Sequence, residues 1–264
     1  MTRFLAVLAA SAGLLIAGGT PSDDEVFRDF VSWYKTYTGT FAPPAVQAAY
    51  EARLKGTGVE APEAARRIGV LRKRMAEMPR EFAALHFDRI YRMEAPPFRT
   101  AASQFLARMV EGRKPGRALD VAMGQGRNSL FLATAGWEVT GYDISEDGMA
   151  AANAAAARAG LKLKTVTASH DEFDYGIAQW DLIVETFAFT NLADAAYRKR
   201  VMDSLKPGGL LVIEGFGDPS GKGPRNVLLA GFSDLRVLCY ENRDDTSDWG
   251  LQKARLERIA AQKD

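Results

Sequence analysis

The sequence predicts an α/β protein: an open, doubly wound, mainly parallel sheet preceded by a helical extension. Three observations carry this. After Gly116, short apolar runs alternate with helical stretches, the pattern of parallel βαβ units. One of those runs ends in an acid and turns through two glycines directly into a helix. Between Ser22 and about Gly112 the apolar spacing is helical instead.

The first 19 residues read as a secretory signal. Arg3 makes a short basic region, Phe4 to Ala17 is apolar or small, and Ala17-Gly18-Gly19 supplies the small residues a signal peptidase needs. The acids Asp23, Asp24 and Glu25 follow, so cleavage would leave the product periplasmic or secreted. The alternatives are an uncleaved anchor, with membrane association through the N-terminus, or a misplaced start codon and a cytoplasmic product.

Residues 20–80 read as the helical extension and 81–264 as the α/β domain. Ser22 with Glu25 forms a capping box, after which Val26, Phe30, Tyr34 and Tyr37 share a face. A second helix is expected over Pro44–Leu54. A third has Pro62 in its first turn and an apolar stripe of Ala64, Ile68, Leu71, Met75 and Met78. Between Arg53 and Arg80 there are eight basic and three acidic residues, read either as a solvated helix face or as a patch for a membrane surface or acidic partner. Two further helices are expected near Glu81–Met93 and Phe98–Glu111.

Strands are expected at Ala118–Ala122, Glu138–Tyr142, Lys162–Thr167, Asp181–Glu185 and Leu210–Glu214, with helices at Asn128–Ala135, Glu146–Ala159 and Ala193–Leu205. Leu235–Tyr240 and Arg255–Gln262 fit a closing hairpin, although the second also fits a helix.

Composition narrows the function. A single cysteine, Cys239, excludes a disulfide framework and a cysteine-based zinc site. With two histidines, His86 and His170, the composition argues against an all-histidine metal site. A net charge of +1 argues against a generic nucleic-acid binder.

The chemistry is concentrated in Leu119-Asp120-Val121-Ala122-Met123-Gly124-Gln125-Gly126-Arg127-Asn128-Ser129. Glycines at such a turn let the backbone approach a ligand, and the helix that follows offers free N–H groups to an anion. Asp143, closing the next strand, suits the two hydroxyls of a ribose. Together these point to a nucleoside cofactor at the carboxyl edge of a parallel sheet.

From about Phe87 onward the chain resembles class I S-adenosylmethionine-dependent methyltransferases. Asp120-Val-Ala-Met-Gly124-Gln-Gly126-Arg is similar to that family's acid-x-Gly-x-Gly-x-Gly loop, with Ala122 standing where the first glycine usually is. Gly124-Gln-Gly-Arg-Asn-Ser-Leu-Phe-Leu-Ala133 resembles small-molecule methyltransferases of the tellurite-resistance type. Lys206-Pro207-Gly208-Gly209 matches the turn before the family's fifth strand. The resemblance implies a Rossmann-like sheet of seven strands whose last runs antiparallel, and S-adenosyl-L-methionine as cofactor.

It also implies roles. Asp120 would hold the cofactor's amino group, and Gly124 and Gly126 would pass under its methionine part with N–H groups near Asn128 facing the carboxylate. Asp143 would bind the ribose hydroxyls, Ile144 would pack on adenine, and Ser169 and His170 would meet the adenine edge. Glu185 would border the transferring methyl, and Tyr91 would cover the cofactor from the preceding helix. His170 and Glu185 are the candidate general bases; no residue is a candidate metal ligand.

Glu185-Thr-Phe-Ala-Phe-Thr-Asn191 lacks the Asn/Asp-Pro-Pro-aromatic signature of enzymes that methylate amide or exocyclic amino nitrogens. No cysteine stands near the glycine turn to attack a pyrimidine. A small-molecule acceptor is therefore expected, with Phe187 and Phe189 as an apolar wall, and no nucleic-acid partner. The other readings are a non-catalytic exported binding protein on the same scaffold and a nicotinamide-dependent oxidoreductase. The latter wants Gly or Ala at Ser129 and has no task for Asp120.

Overall fold

The computed structural model describes residues 20–39, 43–218, 220 and 226–264, so the secretory-signal reading of residues 1–19 lies outside the described residues. The chain divides into two compact units, Met1–Glu77 and Met78–Asp264.

Among the described residues the first unit holds three helices: α1 (Asp23–Tyr34), α2 (Pro43–Gly56) and α3 (Ala61–Glu77). The Ser22–Glu25 capping box forms in both directions, satisfying amides that the first turn leaves without helical partners. Val26, Phe30 and Tyr34 are buried as their spacing requires, and the Phe30 ring meets Tyr50 of α2 edge-on. Arg53 donates two hydrogen bonds to Asp29, at 2.7 and 2.9 Å, and the Tyr50 hydroxyl donates a third. Of the basic stretch, Arg53, Arg66, Arg67 and Arg74 are ion-paired within this unit. Among the described residues no helix is long and apolar enough to cross a membrane.

The second unit contains α4 (Pro79–Tyr91), α5 (Gln104–Val110), β1 (Arg117–Val121), α6 (Arg127–Thr134), β2 (Glu138–Asp143), α7 (Glu146–Arg158), β3 (Lys164–Thr167), β4 (Trp180–Thr186), α8 (Ala195–Ser204), β5 (Leu205–Phe216), α9 (Val227–Gly231), β6 (Arg236–Thr246) and β7 (Lys253–Gln262). The seven strands lie in the order β3-β2-β1-β4-β5-β7-β6. The first five are parallel, and β7 runs antiparallel between β5 and β6. The order reverses between β1 and β4, the switch point at which ligands bind beyond the carboxyl ends of the strands.

Strand alternation divides the core into two layers. Leu119, Val121, Ile183 and Leu211 face a cluster completed by Tyr197 of α8 and Leu228 of α9. Ala118, Leu182, Val184 and Val212 face the other, completed by Phe105 and Leu106 of α5 and Leu132 of α6.

Two elements depart from expectation. The helix expected over Phe98–Glu111 begins only at Gln104, capped by the Ser103 hydroxyl, which accepts from the Leu106 N–H. Residues before it are held extended: Phe98 bridges Trp249, and the Arg99 N–H donates to the Asp248 carbonyl at 2.8 Å. The Arg255–Gln262 segment is a strand. Its run of buried residues, which also suits a helix, arises because β7 is paired on both edges and covered on both faces.

Candidate functional site

Past the end of β1 the chain passes through three left-handed residues, Ala122 (φ 52°), Gly124 (φ 52°) and Gly126 (φ 75°), before α6 begins. The turn is pinned to the next strand: the Met123 N–H donates to the Tyr142 carbonyl at 2.9 Å, and the Gly124 N–H to Asp143 Oδ2 at 2.8 Å. Asp143 Oδ1 accepts from the Ser145 N–H at 2.8 Å. Helix α7 is capped by the Ser145 hydroxyl and not by Asp143, so the carboxylate joins two loops and keeps lone pairs for a ligand.

The glycines are required by close approach. A Cβ on Gly124 would lie 2.3 Å from the Tyr91 hydroxyl, and one on Gly126 would lie 2.8 Å from the Ala152 methyl. Tyr91 thus packs directly on the turn from the end of α4, and its carbonyl accepts from Gln125 Nε2 at 2.9 Å.

Two adjoining cavities open above the turn. The larger, about 340 Å³, is bordered by Asp120, Gly124, Asn128 and Thr186; the smaller, about 170 Å³, by Asp143, Ile144, Ser169 and His170. Tyr91, Ala122, Phe187 and Trp249 line both. Asp120 and Asp143 are buried. Burial pushes each carboxyl up to about 6, against the Ser129 hydroxyl at Asp120 and the loop amides at Asp143. A ligand with a cationic amino-acid end and a ribonucleoside end matches this pair of chambers, one acid in each. The residues present therefore fit S-adenosylmethionine.

Asn128 lines the larger cavity, but its side-chain amide is already engaged: Oδ1 accepts from the Ser103 N–H and Nδ2 donates to Thr186 Oγ1 at 2.7 Å. His170 lines the smaller cavity with both ring nitrogens partnered, Nδ1 with the Tyr142 hydroxyl at 2.9 Å and Nε2 with the Ala188 carbonyl at 3.1 Å. Burial lowers its pKa. Glu185 lines neither chamber. Its carboxylate accepts from the Tyr197 hydroxyl at 2.7 Å and from Thr190 Oγ1 at 2.9 Å, and it borders a third cavity of about 330 Å³ with Phe187, Phe189, Thr190 and Phe216.

Sequence reasoning missed Trp249, Phe98, Arg127 and Thr186. Trp249 sits in the β6–β7 turn and stacks on Phe98 at 5.2 Å. The turn is held by Asp248, which takes hydrogen bonds from Arg127 at 2.6 Å and Arg99 at 2.8 Å. The only local signal was a large aromatic between Asp248 and Gly250 in a polar turn. Phe187 and Phe189 adopt φ of 53° and 55°, so with Ala122 three non-glycine residues around the site are left-handed.

A glycine turn at a switch point, flanked by acids on adjacent parallel strands, is the arrangement of a nucleoside-cofactor site. Residues 118–209 match the family described as "Methyltransferase domain". The chain is 30% identical over 129 residues to the probable S-adenosyl-L-methionine-dependent methyltransferase TehB of Haemophilus influenzae, covering 47% of this chain and 39% of that protein. It is also 30% identical over 118 residues to the ribosomal RNA small subunit methyltransferase C of Alcanivorax borkumensis, covering 41% of this chain and 36% of that one. The chain thus spans well under half the length of these curated relatives. In fold it is similar to the crystal structure of Haemophilus influenzae TehB, with a TM-score of 0.56 at 21% identity over 69% of this chain and 67% of that one. A structure titled for the conversion of a disulfide bond into a thioacetal group during echinomycin biosynthesis also aligns, with a TM-score of 0.56 at 18% identity over 70% and 92% of the two chains. Residues 118–209 thus carry a methyltransferase domain, similar to that of S-adenosylmethionine-dependent methyltransferases, and S-adenosylmethionine is the cofactor that this likeness implies.

Proposed function

We propose that this protein transfers a methyl group from S-adenosylmethionine to a small-molecule acceptor. The observation that carries the reading is the pair of buried acids, Asp120 and Asp143, each facing one of two adjoining chambers across the glycine turn. When bound, the cofactor supplies an electrophilic methyl group; the protein's task is to align donor and acceptor and exclude water. Asp120 would hold the amino group, Asp143 the ribose, and Ile144 and Ser169 the adenine.

The walls favour a small acceptor. Phe87, Tyr91, Phe98, Phe189 and Trp249 form a linked set of rings, with neighbouring centroids 5.2–6.4 Å apart. Such a mouth suits a flat or apolar molecule. The TehB likeness and the echinomycin-biosynthesis structure agree with that reading, and the chain's near-neutral charge speaks against RNA.

Calorimetric titration with S-adenosylmethionine, S-adenosylhomocysteine and NAD tests the cofactor half of the proposal. Micromolar binding of both sulfur compounds, abolished in Asp143→Asn and absent for NAD, is expected. Binding of NAD instead would overturn it.

A further inference from the structure

Five buried or partly buried polar side chains form a continuous row of polar contacts that runs away from the cofactor chambers. It begins at His170, beside the nucleoside chamber. The Ala188 carbonyl can only accept, so Nε2 carries the ring proton and Nδ1 accepts from the Tyr142 hydroxyl. Tyr142 meets Tyr175 at 2.5 Å, Tyr175 faces Tyr197 at 3.4 Å, and Tyr197 donates to Glu185 Oε1 at 2.7 Å. The members come from β2, the β3–β4 connection, α8 and the end of β4.

Packing does not explain the row. Tyr142, Tyr175 and Tyr197 are all buried, and phenylalanine would fill the same volume without hydroxyls that must be satisfied. The row also joins two separate chambers, because His170 borders the nucleoside side and Glu185 borders the 330 Å³ cavity across Phe187-Ala188-Phe189.

We propose that Glu185, Tyr197, Tyr175, Tyr142 and His170 form a proton relay, with Glu185 receiving the proton that a protic acceptor loses on methylation. This rests on the methyltransferase reading and narrows its acceptor to a hydroxyl, thiol or amine. The balance is simple. The acceptor's lone pair forms the bond to the methyl carbon, the carbon–sulfur bond breaks with its electron pair kept by sulfur, and the acceptor's proton passes to the Glu185 carboxylate.

From the protonated carboxyl each hydroxyl passes its own proton one place along. Glu185 donates to Tyr197, Tyr197 to Tyr175, Tyr175 to Tyr142, and Tyr142 to His170 Nδ1, leaving an imidazolium and three neutral tyrosines. The 3.4 Å link is the resting break: while Glu185 is ionised, Tyr197 spends its proton on the carboxylate. Burial brings the Glu185 carboxyl up to about 7 and lowers the His170 ring, so the imidazolium is a transient carrier of the proton, while all three phenols are raised and stay neutral. Thr190 also faces the carboxylate. Asp171 lies beside His170, Arg200 sits over the Tyr197 ring and pairs with Asp171, and Glu214 is held by Arg258.

The relay is testable on the full chain without cofactor or acceptor. With only two histidines, the His170 ring titration is resolvable by nitrogen-15 NMR, and the Glu185 carboxyl can be followed by infrared difference spectroscopy. The two groups are expected to titrate over one shared pH range. Glu185→Gln should move the His170 midpoint by about one unit. Tyr175→Phe, which keeps both charges and removes one oxygen, should break that coupling, and Tyr197→Phe should do the same should Tyr175→Phe fold poorly. Coupling that survives both phenylalanines is a through-space charge effect and overturns the relay. So does a His170 titration indifferent to Glu185→Gln. Either failure leaves the calorimetric test of cofactor binding untouched.

Discussion

The Gly124 N–H donates to Asp143 Oδ2 at 2.8 Å, so the acid proposed to meet the ribose also holds the glycine turn. On the proposed reading, binding and loop geometry share one carboxylate. Asp143→Ala strands two buried amides, those of Gly124 and Ser145, and is expected to lower stability by about 2–4 kcal/mol as well as abolish binding. Asp143→Asn keeps one acceptor and should lose binding with a smaller stability cost. Urea unfolding and calorimetry on the two variants separate these effects.

Ala122 occupies a left-handed conformation, φ 52°, that costs a residue with a Cβ about 1–2 kcal/mol. Glycine removes that strain but gains chain entropy on unfolding, about 0.4–1 kcal/mol. Ala122→Gly is therefore expected to raise the urea midpoint modestly, by about 0.5–1 kcal/mol in stability, with an unchanged slope. A fall in stability would assign a packing role to the Ala122 methyl, which lies against the Val121 layer.

Asp120 and Asp143 carry carboxyls pushed up to about 6 by burial, from an ordinary value of 3.8. The folded chain holds these protons where the unfolded chain has released them. Their stabilising contribution is full below about pH 4 and is lost as pH rises through about 6. On the proposed reading cofactor binding runs the opposite way, because the cofactor's amino group would need Asp120 ionised. Affinity should fall roughly tenfold per unit below pH 6, and Asp120→Asn should flatten that profile. Calorimetry from pH 5 to 8 reads it directly.

Asp248 fastens the Trp249 turn through Arg127 and Arg99. Its side chain and that of Arg127 are only 11% and 14% exposed, so breaking the pair leaves a charge poorly solvated. Asp248→Ala is expected to cost about 3 kcal/mol and to weaken cofactor binding. Trp249 fluorescence should then become more accessible to a soluble quencher.

The site was legible where its parts are neighbours in sequence. Asp120, the glycine turn, Asp143, Ile144, Ser169 and His170 all lie within about 50 residues of one another, and each closes or follows a strand whose apolar run is visible in the chain. The glycines needed no partner to be read, since a strand-to-helix turn near a ligand already demands them. Trp249, Phe98 and Thr186 come from distant segments, and nothing in their surroundings marks them.

The sequence by itself determined the order of strands and helices and the acids at the strand ends, because periodicity and turn chemistry act over a few residues. Only the tertiary structure decided which face each side chain meets. Strand β7 is a strand because β5 and β6 pair with both its edges, and Trp249 becomes part of the site because that hairpin brings its turn to Phe98. Glu185 turns its carboxylate toward Tyr197, away from the cofactor chambers, because register sends alternate residues of β4 to opposite layers, Val184 to one and Glu185 to the other. Sheet pairing and layer packing are set by contacts far apart in the chain, and a local pattern holds no record of them.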